Sequence, residues 1–186
     1  GRCAGKLPSG EPERSPEEKK RNVATIKPSI PELLRKYGAL TENIAIEFPP
    51  QITEIPFDCE REYLSIDGAL NRLTLYFGDL KKCERSAVIL PGKERLCPTE
   101  EATLKETEMV GEYLYEADPA VVKAGLLAEL SEKAEVELYE DGKAVFFTSD
   151  KKVKSPFFKN MFKVVEMCAQ EEHEIIAALQ KHEAGK

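Results

Sequence analysis

Gly111-Glu112-Tyr113-Leu114-Tyr115-Glu116-Ala117-Asp118-Pro119-Ala120-Val121-Val122-Lys123-Ala124-Gly125 is the stretch that decides the fold. Tyr113-Leu114-Tyr115 reads as a short strand, since aromatic residues suit a pleated, half-buried surface. Asp118 is a helix N-cap and Pro119 takes the first helical position, where its missing N–H costs nothing. Val121, Val122, Leu126, Leu127 and Leu130 then supply the apolar face of one helix. Gly125 falls inside that helix. Glycine there costs about 1 kcal/mol against alanine, so close packing is the expected reason for it.

Downstream, Val136-Glu137-Leu138-Tyr139 and Ala144-Val145-Phe146-Phe147 flank Glu140-Asp141-Gly142-Lys143, which predicts a hairpin. Phe162-Lys163-Val164-Val165-Glu166-Met167 alternates and predicts a further strand, and Glu171 to His182 an amphipathic helix through Ile175, Ile176, Ala178 and Leu179. This order points to a small α+β layer over residues 105–186, separate from the first half.

Upstream, ordered structure is expected from Pro28. Pro31 opens a helix with Ile30, Leu33, Leu34 and Tyr37 at helical spacing and Gly38 as its C-cap. Asn43 to Phe48 reads as a strand stopped by Pro49-Pro50, and helix plus strand suggest an αβ unit of a parallel sheet. Glu62 to Ile66 and Leu73 to Phe77 are strand-like. Asp67-Gly68 is a turn dipeptide, but Ala69 to Arg72 make the connection longer than a tight hairpin. Ser86 to Leu90, closed by Pro91-Gly92, is a third strand, and residues 93–110 form a polar link. Residues 1–27, which include Pro8-Ser9-Gly10-Glu11-Pro12 and Lys19-Lys20-Arg21, have too little to bury and predict a flexible arm.

Composition narrows the function classes. With 186 residues, 41% of them hydrophobic and a net charge of −7, the chain can build a core but has no global attraction for nucleic acid or anionic membrane. No apolar run approaches the ~20 residues needed to span a bilayer. Five cysteines at 3, 59, 83, 97 and 168, without a Cys-x-x-Cys pair, argue for reduced thiols and against a disulfide framework or zinc knuckle. His173 and His182 are nine residues apart on one helix, about two and a half turns, too far for one metal. No glycine-rich phosphate loop follows a strand. Glu47, late in an apolar strand, could serve strand-end chemistry, against the plainer reading of a glutamate at a sheet edge. Lys151, Lys152, Lys154, Lys159 and Lys163, interleaved with Phe157 and Phe158, could hold backbone phosphate and stack on bases. Against that stands the reading of both phenylalanines as core and the lysines as a solvated rim.

Tyr113 to Gly125, the strand ending in Thr148-Ser149-Asp150, and Ser155-Pro156-Phe157 before Phe162-Lys163-Val164-Val165-Glu166 together resemble the THUMP-like domain. That module closes a family of class I S-adenosylmethionine-dependent methyltransferases of bacteria and archaea. Tyr63 to Gly78 is similar to the small ferredoxin-like segment that precedes it there. Residues 28–50 look like the last αβ unit of the methyltransferase domain, and Gly1-Arg2-Cys3 like the residues just after its strand-four Asp-Pro. The family's glycine-rich cofactor motif, its ribose-binding acid and the strand-four Asp are not present in the sequence.

The resemblance implies an α/β fold: a C-terminal remnant of a Rossmann-like methyltransferase sheet over 28–104, followed by a ferredoxin-like/THUMP-like α+β domain over 105–186. It implies the substrate side of a cytoplasmic methyltransferase acting on RNA, tRNA or rRNA, with no DNA and no membrane partner. Lys151, Lys152, Lys154, Lys159, Tyr113 and Tyr115 would contact substrate. S-adenosylmethionine would serve the intact enzyme, with no cofactor, metal or catalytic residue expected in this chain alone. The competing readings are a non-catalytic α/β protein-interaction module and a small-molecule enzyme using Glu47.

Overall fold

The structure is a computed structural model that describes residues 27–52, 54–140 and 145–184. The expected arm lies outside the described residues apart from Lys27, as do the basic run 19–21 and residues 141–143 of the predicted hairpin connection. What is described is a mixed α/β fold with two five-stranded mixed sheets and four helices.

The strands of the first sheet are β1 (Ala45–Phe48), β2 (Glu60–Ile66), β3 (Ala69–Tyr76), β4 (Arg85–Leu90) and β5 (Glu94–Leu96). They lie in the order β1-β3-β2-β4-β5. Only β2 and β4 pair in parallel; the other neighbours are antiparallel. Helix α1 (Ile30–Gly38) precedes the sheet, started by a capping box in which Ser29 and Glu32 satisfy each other's backbone N–H. Gly38 is its last residue, and Ala39, still right-handed, closes it in place of the predicted glycine cap.

Two expectations fail in this sheet. The strand after α1 is an edge strand antiparallel to β3, so the αβ unit is not part of a parallel sheet. The β2–β3 connection is a tight hairpin, because Ile66 pairs with Ala69 and both Asp67 (φ 50°) and Gly68 (φ 74°) adopt the positive φ of a two-residue turn. Residues 69–72, two apolar and then two polar, belong to β3, and the pairing slips by one between Leu64 and Ser65.

The second sheet is built from β6 (Glu106–Thr107), β7 (Tyr113–Ala117), β8 (Glu137–Glu140), β9 (Val145–Ser149) and β10 (Phe158–Lys163). Their order is β10-β7-β9-β8-β6. The β7 strand and the antiparallel β8–β9 pair stand where the sequence puts them. Strands β5 and β6 lie in the stretch read as a polar link; at three and two residues they are too short to show a period.

The predicted long helix is two. Helix α2 (Pro119–Ala124) ends at Gly125, whose φ of 67° is left-handed, and α3 (Leu127–Ala134) starts after it. A Cβ on Gly125 would meet nothing within 4 Å, so close packing is not its purpose; it is a C-cap. The break lets α2 lie across β2, β3 and β4 of the first sheet, so residues from both halves share one core. Tyr63, Leu73 and Ala87 from the first sheet join Ala120 and Val121 of α2 and Leu130 and Phe147 beyond it.

Strand β10 ends at Lys163, four residues before the predicted end, and Val165 and Met167 are 68% exposed. Helix α4 (Glu172–Lys181) is present but buries no residue, leaving Ile175, Ile176 and Leu179 exposed. No helix among the described residues is long and apolar enough to cross a membrane.

Candidate functional site

The lysine-bearing loop between β9 and β10 is fastened from below by Tyr115. Its ring is fully buried, its hydroxyl donates to the Lys151 carbonyl at 2.9 Å, and it accepts the Val153 N–H at 2.8 Å. Phe158 stacks on the same ring at 4.7 Å between centroids. Asp118 adds a second tie, since its N–H donates to the Phe157 carbonyl while its carboxylate caps α2 through Ala120 N–H, both at 2.8 Å. The decisive stretch therefore both starts the helix and holds the loop in place.

Above these ties lies an open groove of about 380 Å³ lined by Val153, Lys154, Pro156, Phe158, Lys159 and Met161, among others. Lys151, Lys152 and Lys154 are exposed, and none forms an ion pair with a described residue. Lys159 differs. It pairs with Glu116 at 3.3 Å, and its stem lies across Gly68, where a Cβ would come within 2.8 Å of Lys159 Cγ. Glu116 also accepts from Asn160 Nδ2 at 2.6 Å, and that bond, with Lys159, holds its carboxyl below the usual range. The Lys159 charge is thus largely cancelled at the groove.

The structure separates the remaining candidates. Tyr113 is half-buried on β7 opposite the exposed Lys163. Tyr115 has no surface to offer a ligand, so it positions the loop and does not contact a substrate. Phe157 is fully buried under Lys133, whose Nζ sits 5.1 Å from the ring centroid, which leaves Phe158 as the partly exposed aromatic. Glu47 lies on the edge strand and pairs with Arg72, in line with the plainer reading of it. His182 meets Glu166 at 2.7 Å on the surface, and no cluster of potential metal ligands occurs among the described residues.

A second polar cluster, missed in the sequence, occupies the face of the first sheet turned away from α2. Alternation puts Glu60, Glu62, Thr74, Tyr76 and Ser86 on that face. Glu60 is fully buried, accepts from Ser86 Oγ at 2.6 Å and Lys82 N–H at 2.9 Å, and pairs with Arg95. Arg95 also reaches Glu62 at 3.5 Å, and Tyr76 donates to Glu62 at 3.0 Å. Burial pushes the Glu60 carboxyl up, but the Ser86 and Lys82 donors and Arg95 outweigh it and hold it below the usual range. The only sequence signal was two glutamates spaced by two in a strand. Their partner, 35 residues from Glu60, could not be inferred from local pattern.

The fold that carries these groups is of the mixed α/β class, and solved structures place it more closely. The chain is similar to the crystal structure of a proposed methyltransferase from Porphyromonas gingivalis W83, with a TM-score of 0.69 and 16% identity. The match covers 86% of this chain and 44% of that one, so the chain spans under half of that protein's length. At this identity the likeness concerns the fold alone. No family model matches the chain, and no curated protein matches it.

Proposed function

We propose that this chain is the C-terminal, substrate-side portion of an S-adenosylmethionine-dependent methyltransferase that acts on RNA in the cytoplasm. In this reading residues 28–104 complete the methyltransferase part and residues 105–186 form the THUMP-like domain that presents RNA. The observation that carries it is the loop pinned by Tyr115, which exposes Lys151 and Lys152 and continues into Lys154, a residue of the open groove's lining. Three ammonium groups on a fixed loop can track a phosphate backbone, each releasing counterion on contact. The likeness in fold to a proposed methyltransferase supports the enzyme class.

S-adenosylmethionine would supply the methyl group in the intact enzyme. The described residues do not fit it. At the junction of β7 and α2 the Asp118 carboxylate takes the Ala120 N–H and Pro119 has none to give, so that helix end offers no ready donors to a nucleotide. No step is therefore assigned to this chain's own residues beyond holding RNA.

Calorimetry on the chain tests both parts. Heat with a tRNA or rRNA fragment and none with S-adenosylmethionine is expected. Tight binding of S-adenosylmethionine would place a cofactor pocket here, and silence toward RNA would remove the substrate role.

A second reading, a non-catalytic module that binds a protein, is favoured by the exposed apolar side chains of Val165, Met167, Ile175, Ile176 and Leu179.

A further inference from the structure

The alternating run from Phe162 to Met167 continues past the end of β10 at Lys163, and the continuation pairs with no described strand. Strand β10 is the outer strand of its sheet and is joined only to β7. Just beyond it the Val164 N–H donates to the Glu112 carbonyl at 2.8 Å, so Val164 turns its backbone toward the β7 side. Neighbouring residues of an antiparallel ladder face opposite ways, so Met161 and Lys163 turn theirs outward. Val165 and Met167 make no backbone hydrogen bond among the described residues, and both side chains are 68% exposed. Met161 and Phe162 are exposed as well.

We infer that residues 161–167 form the interface of a homodimer, in which this edge adds antiparallel to the same edge of a second copy. An open strand edge presents N–H and C=O groups in a fixed repeat, and its matching occupant is another polypeptide strand. Self-complementarity selects a second copy of this chain. A two-fold axis through Val164 sets Met161 opposite Met167 of the second copy and Lys163 opposite its Val165. Phe162 then stands opposite Glu166 of the second copy, and Val164 opposite its own counterpart. No two like charges meet across the pair, which is the condition that facing side chains of a ladder must satisfy.

Glu166, the one acid in the run, is already met within its own chain by Lys181 at 3.0 Å and His182 at 2.7 Å, so its charge does not oppose the pairing. The register is specific, because a slip by one residue would set outward-facing backbone groups against groups already turned to β7. Pairing covers the apolar side chains that a single chain leaves in water and gives the alternation beyond Lys163 a ladder to belong to. The two sheets would join through β10 into one continuous sheet of ten strands. This interface is independent of the RNA reading, since it uses none of Lys151, Lys152 and Lys154.

The test is sedimentation velocity of the whole chain over a dilution series, with amide exchange followed at the same concentrations. A monomer–dimer equilibrium is expected, with exchange at Lys163 and Val165 slowing as the dimer fills. Val165→Lys puts an ammonium opposite Lys163 of the second copy, twice per dimer, and should weaken association roughly tenfold. Val165→Glu puts a carboxylate there instead and should hold or tighten it. Val165 is largely in solvent, so neither change disturbs the single chain. A monomer at every concentration, equal weakening by lysine and glutamate, or a dimer whose slowed amides lie elsewhere overturns the inference.

Discussion

Gly125 is where a single backbone angle divides one apolar helix face into two helices. Its φ of 67° is costly for any residue with a Cβ, although the space around it is empty. Gly125→Ala should therefore lower unfolding free energy by about 1 kcal/mol, read by denaturant titration. A gain in stability would mean that the helix can run straight through, as the valine and leucine spacing suggests. Tyr115 is the second such point. Tyr115→Phe keeps the buried ring but strands the Lys151 carbonyl and Val153 N–H, a loss of about 1–3 kcal/mol. Amide exchange of residues 151–154 should rise more than exchange in β2 and β3; uniform change would show that the hydroxyl does not fasten this loop.

At the scale of elements, the Glu60–Arg95 pair stitches β5 to β2 across β4. The sign of its pH dependence comes from the depressed carboxyl of Glu60. Its contribution is complete above the unfolded value, about 4.3, and is lost as pH falls through the lower folded value. Glu60→Gln should thus be less stable than the parent at neutral pH, with the gap narrowing below about pH 4. A constant gap from pH 7 to pH 3 would show that the charge is not what the site uses. Elements with a clear period were legible: the strands of residues 62–66, 86–90 and 113–115, the β8–β9 pair and helix α4. Misread were those set by long-range partners. The β10 strand stops where pairing with Tyr113 stops, although alternation continues to Met167. The edge strand β1 shows no local sign that it lies antiparallel to β3. Lysines of the groove could be seen in the chain, but not that Glu116 offsets Lys159 or that Tyr115 is buried.

For the whole molecule, a net charge of −7 means that RNA is repelled everywhere except where cations are concentrated and held. In the proposed function that spot is the loop above Tyr115. The measurement that tests it most directly is the salt dependence of binding to a single-stranded RNA fragment, for the parent chain and for the Lys151→Ala, Lys152→Ala, Lys154→Ala variant. Three lost phosphate contacts should flatten the slope of log K against log salt by roughly 2, with weaker binding at low salt. Equal slopes and equal affinities would contradict the proposed RNA contact.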